Sequence, residues 1–164
     1  MRIGILSDTH NNYRNVEAAL RLLSDRGVSF VLHCGDIEDV QTVRLFQGFT
    51  THFVFGNCDV DKEELTKVIR ESGAALHEHF GNLELAGRKI AWIHGDNQRL
   101  FREVEQSEAY DFLFYGHSHR AEQHRTGPTL VVNPGALHRA QPKTFAVLDL
   151  ATCALEMVQL PESK

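Results

Sequence analysis

Ile3-Gly4-Ile5-Leu6-Ser7-Asp8-Thr9-His10 reads as a short buried strand that breaks into a polar turn. The pattern then repeats along the chain. Phe30-Val31-Leu32 runs into His33-Cys34-Gly35-Asp36, and Phe53-Val54-Phe55 runs into Gly56-Asn57-Cys58-Asp59. Further on, Ile90-Ala91-Trp92-Ile93 runs into His94-Gly95-Asp96, and Phe112-Leu113-Phe114-Tyr115 runs into Gly116-His117-Ser118-His119. Five apolar runs thus end in Asp, Asn or His, four of them with a glycine beside the polar group. In α/β sheets the carboxyl ends of the strands line one edge, and sites form there. Glycine at such a turn lets the backbone bend sharply or come close to a ligand.

The segments between the runs supply the rest of the fold. A helix capped by Asn12 or Asn15 runs to about Arg26, with Val16, Ala19, Leu20 and Leu23 at helical spacing and Gly27 as its stop. A short helix spans Val40 to Phe46, a third strand His52 to Phe55, and a further helix Lys62 to Glu71. Leu83 to Leu85 and Lys89 to Ile93, joined by Ala86-Gly87, read as a hairpin, and Arg99 to Ser107 as a helix. The remainder, through Gly127-Pro128 and Thr144 to Leu160, is β-rich. Strand and helix alternate in the first half, which implies a parallel sheet. Hairpins dominate the second half, which implies a second sheet.

A chain of 164 residues with 42% hydrophobic and 24% charged residues has the composition of one globular domain, residues 1–164. No apolar run reaches the roughly 18–20 residues of a membrane helix, and the first apolar stretch is too short for a signal peptide, so a cytoplasmic location is expected. The net charge of −5 argues against high-affinity binding of nucleic acid by phosphate attraction, and with no apolar run of membrane-helix length no membrane partner is expected. Cys34, Cys58 and Cys153 cannot all pair, which fits a reducing compartment.

The groups at the strand ends are Asp8, His10, Asp36, Asn57, His94, His117 and His119. These oxygen and nitrogen donors suit divalent cations. Seven exceed the four ligands of tetrahedral zinc or the six of an octahedral ion. Two ions that share one carboxylate use the set naturally. Asp8/His10 and His117/His119 each have i, i+2 spacing, about 6.6 Å apart on one face of an extended segment. The second pair could straddle two ions roughly 3.5–4 Å apart, as in two-metal hydrolases. The other histidines, His33, His52, His77, His79, His124 and His138, match no such pattern and are read as ordinary surface or core residues.

In order, Asp8-Thr9-His10, Gly35-Asp36, Gly56-Asn57-Cys58-Asp59, His94-Gly95 and Gly116-His117-Ser118-His119 resemble the five motifs of the calcineurin-like metallophosphoesterases. The match looks most like their small single-domain bacterial and archaeal phosphodiesterase branch. The resemblance implies an α/β fold of two packed mixed β-sheets flanked by helices, a four-layer α-β-β-α sandwich. It implies one ion held by Asp8, His10, Asp36 and His119, and another by Asp36, Asn57, His94 and His117, with Asp36 bridging. Manganese is the first expectation, with iron, zinc, cobalt or nickel admitted by the donor set. It further implies a phosphodiesterase acting on small substrates, in which a hydroxide between the ions attacks phosphorus in line. Asp36, Asn57, Cys58, Asp59 and His94 would be the catalytic residues. Most of the superfamily has His where Cys58 stands, acting on the leaving group, and Asp59 would orient Cys58. Asn133-Pro134-Gly135-Ala136 is similar to the family's N-P-G-S and is read as a turn packing near the site. The same resemblance admits a non-catalytic metal-binding scaffold of the retromer-subunit type or a phosphomonoesterase, and leaves a homo-oligomer open.

Overall fold

The computed structural model describes residues 1–161. β1 (Arg2–Leu6) leads through α1 (Tyr13–Asp25) to β2 (Phe30–His33), and α2 (Val40–Leu45) leads to β3 (Thr50–Phe53). Then follow α3 (Lys62–Glu71), β4 (Ala75–Leu76), β5 (Phe80–Leu85), β6 (Arg88–Ile93) and α4 (Gln98–Gln106). The chain closes with β7 (Phe112–Phe114), β8 (Ala121–Thr126), β9 (Thr129–Pro134), β10 (Thr144–Asp149) and β11 (Ala154–Gln159).

Two mixed sheets form. The first has the order β11-β10-β1-β2-β3-β4, and the second β5-β6-β7-β9-β8. β1 to β4 are parallel, with Gly4 opposite Val31 and Phe30 opposite Thr50. β6, β7 and β9 are parallel in the second sheet. The C-terminal hairpin corrects the expectation that the second half builds only the second sheet. β10 pairs antiparallel with β1, placing Ile3 opposite Leu148, so the hairpin completes the first sheet. A buried apolar strand carries no mark of which sheet it joins. The third strand also begins earlier than expected, at Thr50, and ends at Phe53.

Side-chain alternation along the strands creates three apolar layers. Ile3, Ile5, Leu32, Val54, Trp92, Phe114 and Leu148 fill the space between the sheets. Leu6, Val31 and Phe53 face the helices and meet Val16, Leu20 and Leu23 of α1 and Leu65 and Ile69 of α3. Val104 of α4 packs on Ala91, Leu113 and Val131 of the second sheet. The result is the four-layer α-β-β-α arrangement implied by the motifs. α1 is capped by Asn12, whose side chain accepts from Asn15 N, and Gly27 leaves it at φ 69°, a left-handed conformation that costs glycine little. Asp61 caps α3, and Glu63 and Glu64 stand in its first turn, where acidic groups favour the helix dipole.

Candidate metal centre

The loops after β1 and β2 are joined along their backbones. Asp8 N donates to Gly35 O, and Thr9 N and His10 N donate to Asp36 O, each at 3.1 Å. The loop after β7 is tied to that after β6 by Gly116 N donating to His94 O at 2.8 Å. A Cβ on Gly116 would stand 1.8 Å from Ser7 Oγ, so only glycine lets the loops from the two sheets close together. Asn133 then fixes the β7 loop, its Nδ2 donating to Gly116 O at 2.8 Å and to Ser118 Oγ at 3.0 Å. The Asn133-Pro134-Gly135-Ala136 turn therefore packs where the sequence reading put it.

Asp8 is fully buried. Its Oδ2 accepts from Ser7 Oγ at 2.6 Å and from His117 N at 3.0 Å. Its Oδ1 accepts no hydrogen bond. Around that oxygen stand His119 Nε2 at 3.2 Å and His10 Nε2 at 3.8 Å, and the two ring nitrogens are themselves 3.2 Å apart. A buried carboxylate oxygen without a partner costs about 1–3 kcal/mol. An oxygen and two imidazole nitrogens converging on one point fit a divalent cation.

Asp36 stands between the two halves of the site. Its Oδ1 accepts from Cys58 N at 2.9 Å, and its Oδ2 lies 3.4 Å from both His10 Nε2 and His94 Nε2. His94 Nε2 is also 3.0 Å from Asn57 Oδ1, while its Nδ1 donates to the Cys34 carbonyl at 2.8 Å. That second bond orients the ring and leaves Nε2 for the site. Burial alone would lower the His94 pKa. Its hydrogen bond to Asp36, the charges of Asp36 and Asp8 and the Cys34 carbonyl outweigh burial and push it up to about 9. Burial likewise works against the Asp36 carboxylate, yet His94, the Cys58 N–H and His10 hold its pKa well below the usual range. The closeness of Asp8 raises the pKa of His119. These opposed shifts describe a pocket whose carboxylates demand positive charge.

Five of the seven expected ligands, Asp8, His10, Asp36, His94 and His119, contribute atoms to compact groups able to hold a cation. Asn57 and His117 lie beside His94: Asn57 Oδ1 is 3.0 Å from its Nε2, and the exposed His117 ring packs edge-on to it, centroids 5.2 Å apart. Asp8, His10, Asp36, His117 and His119 all take positive φ, between 41° and 67°. Such conformations cost on the order of 1–3 kcal/mol each and cluster at functional sites.

Asp59 departs from its expected role. Rather than orienting the Cys58 thiol, its buried carboxylate accepts from the N–H groups of Asp36, Ile37, Glu38 and Gly56 at 2.7–3.0 Å. It builds the loop that carries Asp36. The Cys58 thiol receives Asn57 Nδ2 at 3.4 Å, and burial, then Asp36, pushes its pKa up to about 11. Its Sγ nevertheless belongs to a compact group with His10 and Asp36.

Three supporting residues escaped the sequence reading. Glu38 Oε1 is 2.7 Å from His10 Nδ1 and orients that ring as the Cys34 carbonyl orients His94. His33, read as ordinary, is buried and accepts from Gly35 N at 3.2 Å, its Nε2 lying 3.1 Å from Thr9 Oγ1. Burial lowers its pKa to about 3, so it links the β1 and β2 loops as a neutral ring. His138 lies against His10, centroids 5.2 Å apart. Nothing local in the sequence marks these three.

The fold and the site together define a metallophosphoesterase, and the chain belongs to the calcineurin-like phosphoesterase superfamily, whose domain profile matches residues 1–153. Among curated proteins it is similar to phosphodiesterase MJ0936 of Methanocaldococcus jannaschii, 29% identical over 138 residues, covering 82% of this chain and 83% of that protein. Among solved structures it is similar to a novel archaeal phosphodiesterase, with a TM-score of 0.90, 26% identity, and 98% and 100% of the two chains covered. Zinc-complexed Vps29 from Entamoeba histolytica shares the fold, with a TM-score of 0.70, 18% identity, and 98% and 100% covered. Among the described residues no helix is long and apolar enough to cross a membrane.

Proposed function

We propose that this chain, as one domain of residues 1–164, hydrolyses small phosphodiesters by in-line displacement at phosphorus, at a centre for two divalent ions. The observation that carries the reading is the orphaned Asp8 Oδ1 facing two ring nitrogens, next to an Asp36 Oδ2 equidistant from His10 and His94. Asp8, His10, Asp36 and His119 would hold one ion, and Asp36, Asn57, His94 and His117 the other. Bound ions of this kind acidify water and neutralise charge that grows on the phosphoryl oxygens. Manganese is the ion proposed first, with iron, zinc, cobalt and nickel as substitutes.

The chain's own residues do the positioning. Glu38 and the Cys34 carbonyl lock the rings of His10 and His94. Asp59 gathers four N–H groups into the turn that presents Asp36. Cys58 stands where most of the superfamily has His, and as a neutral thiol it donates only weakly to a departing oxygen. Esters whose leaving groups need no proton, such as aryl diesters, are therefore the favoured substrates. Three free cysteines fit a reducing compartment, and the cytoplasm is the proposed location.

Chelation followed by titration with manganese tests this reading. Turnover of bis(p-nitrophenyl) phosphate should vanish on chelation and return with about two ions per chain. Tight metal binding without turnover of any phosphodiester would overturn it.

A further inference from the structure

A cavity of about 150 Å³ opens beside the metal centre, with His94 itself in its lining. Larger hollows exist, one of about 380 Å³ against Arg44, Val68 and Ser72 and one of about 300 Å³ beside Lys89 and Tyr110, but neither touches a proposed ligand. The cavity by His94 lies between the end of β6 and the start of α4. Ile93 and Leu100 give it apolar wall, and the imidazole of His79 reaches it from the loop before β5. His79 is held from behind: its ring meets Phe55 edge-on at 6.4 Å, and its Nε2 lies 3.3 Å from Lys62 Nζ, which is itself 5.5 Å from the centre of the Phe55 ring. Asn97 also lines the cavity, but its side chain is engaged in capping α4, accepting from Arg99 N at 3.2 Å and Leu100 N at 3.1 Å. The lining thus mixes the aliphatic surface of Ile93 and Leu100 with the rings of His79 and His94 and the carboxylate of Asp96.

We propose that this cavity is a subsite for one aromatic ring of the phosphodiester. The inference rests on the phosphodiesterase reading, and it names the ester group that the site selects. Size supports it, because a cavity of about 150 Å³ has room for a benzene ring. Position supports it, because a phosphoryl group at the His94 side of the centre carries its ester substituent only one or two bonds away. The lining supports it, because a flat ring can lie against Ile93, Leu100 and the His79 face.

The probes are phenylphosphonate and methylphosphonate, titrated calorimetrically into the manganese-loaded protein. Phenylphosphonate should bind at least about tenfold tighter, since even a single methylene in an apolar pocket is worth about tenfold or more. Leu100→Trp, which fills the cavity, should bring the two affinities within about twofold of each other and leave methylphosphonate within about twofold of wild type. His79→Ala, at an exposed position that poses no folding problem, removes the ring face and should shrink the preference in the same direction. A ratio near one in the wild type, or a preference that survives both substitutions, overturns the subsite. If the manganese-loaded protein turns over bis(p-nitrophenyl) phosphate but binds neither phosphonate, the subsite falls and the phosphodiesterase reading stands; if that turnover is also absent, both fall.

Discussion

Gly56→Ala places a single methyl against the residue on which the site turns. A Cβ built at Gly56 stands 2.2 Å from Asp36 Oδ1 and 2.7 Å from Asp36 N, and real Cβ contacts essentially never fall under 3.0 Å. The carboxylate must therefore retreat from 2.2 Å to at least 3.0 Å, a shift of about 0.8 Å. It cannot rotate freely, because Oδ1 is pinned by Cys58 N at 2.9 Å and Oδ2 sits between His10 and His94. A misplacement of about 1 Å in a catalytic array costs on the order of a hundredfold in rate. The expected result is a fall of about a hundredfold in bis(p-nitrophenyl) phosphate turnover together with a loss of bound metal. Gly81→Ala is the control. Its Cβ would meet the Trp92 indole at 2.1 Å, away from the centre, so it should lower the thermal midpoint yet spare metal stoichiometry in the folded fraction. Full metal content and turnover within threefold in Gly56→Ala would refute the claim that Asp36 is held in place by this contact.

Asp36→Asn keeps the shape and removes the charge, so the fold should persist while turnover drops more than about a hundredfold, measured beside metal content by elemental analysis. Glu38→Gln should cost about ten- to a hundredfold in metal affinity through the loosened His10 ring, read by competition with a chelating dye. Cys58→Ala should change aryl-diester turnover by less than about tenfold with metal retained, and Cys58→His should raise turnover of poorer leaving groups; loss of metal from Cys58→Ala would make the thiol a ligand. His52 and His77 share a 2.9 Å contact, and burial, then His77, lowers the His52 pKa to about 4, while burial lowers that of His77. Folding keeps this pair neutral, so its contribution is whole above the unfolded value of about 6.5 and is lost as pH falls toward 4. His52→Phe should therefore flatten the fall of the thermal midpoint over that range, and an unchanged slope would contradict the assignment.

The fold was legible wherever one local pattern determined one element. Val16, Ala19, Leu20 and Leu23 announced α1, and Lys62 to Glu71 coincided with α3 to the residue. The convergence of Asp8, Asp36, Asn57, His94 and His119 followed from their positions after strands whose carboxyl ends must share an edge. What stayed hidden depends on partners distant in sequence. β10 joins β1 across more than a hundred residues, and β4, only two residues long, exists because it pairs with His52 and Phe53. Glu38 supports His10 across 28 positions, and His33 reaches Thr9 across 24, contacts that only the assembled loops create. Asp59 was legible as part of a motif but not in its role, because four backbone N–H groups converging on one carboxylate leave no trace in the sequence.

A crystal structure of the manganese-loaded protein, with anomalous scattering collected at the manganese edge, tests the central claim most directly. The account predicts two anomalous peaks per chain, less than about 5 Å apart, with the Asp36 carboxylate between them and Asp8 Oδ1 on the peak shared with His10 and His119. A single peak at full loading, or two peaks with Asp36 turned away from both, would contradict it.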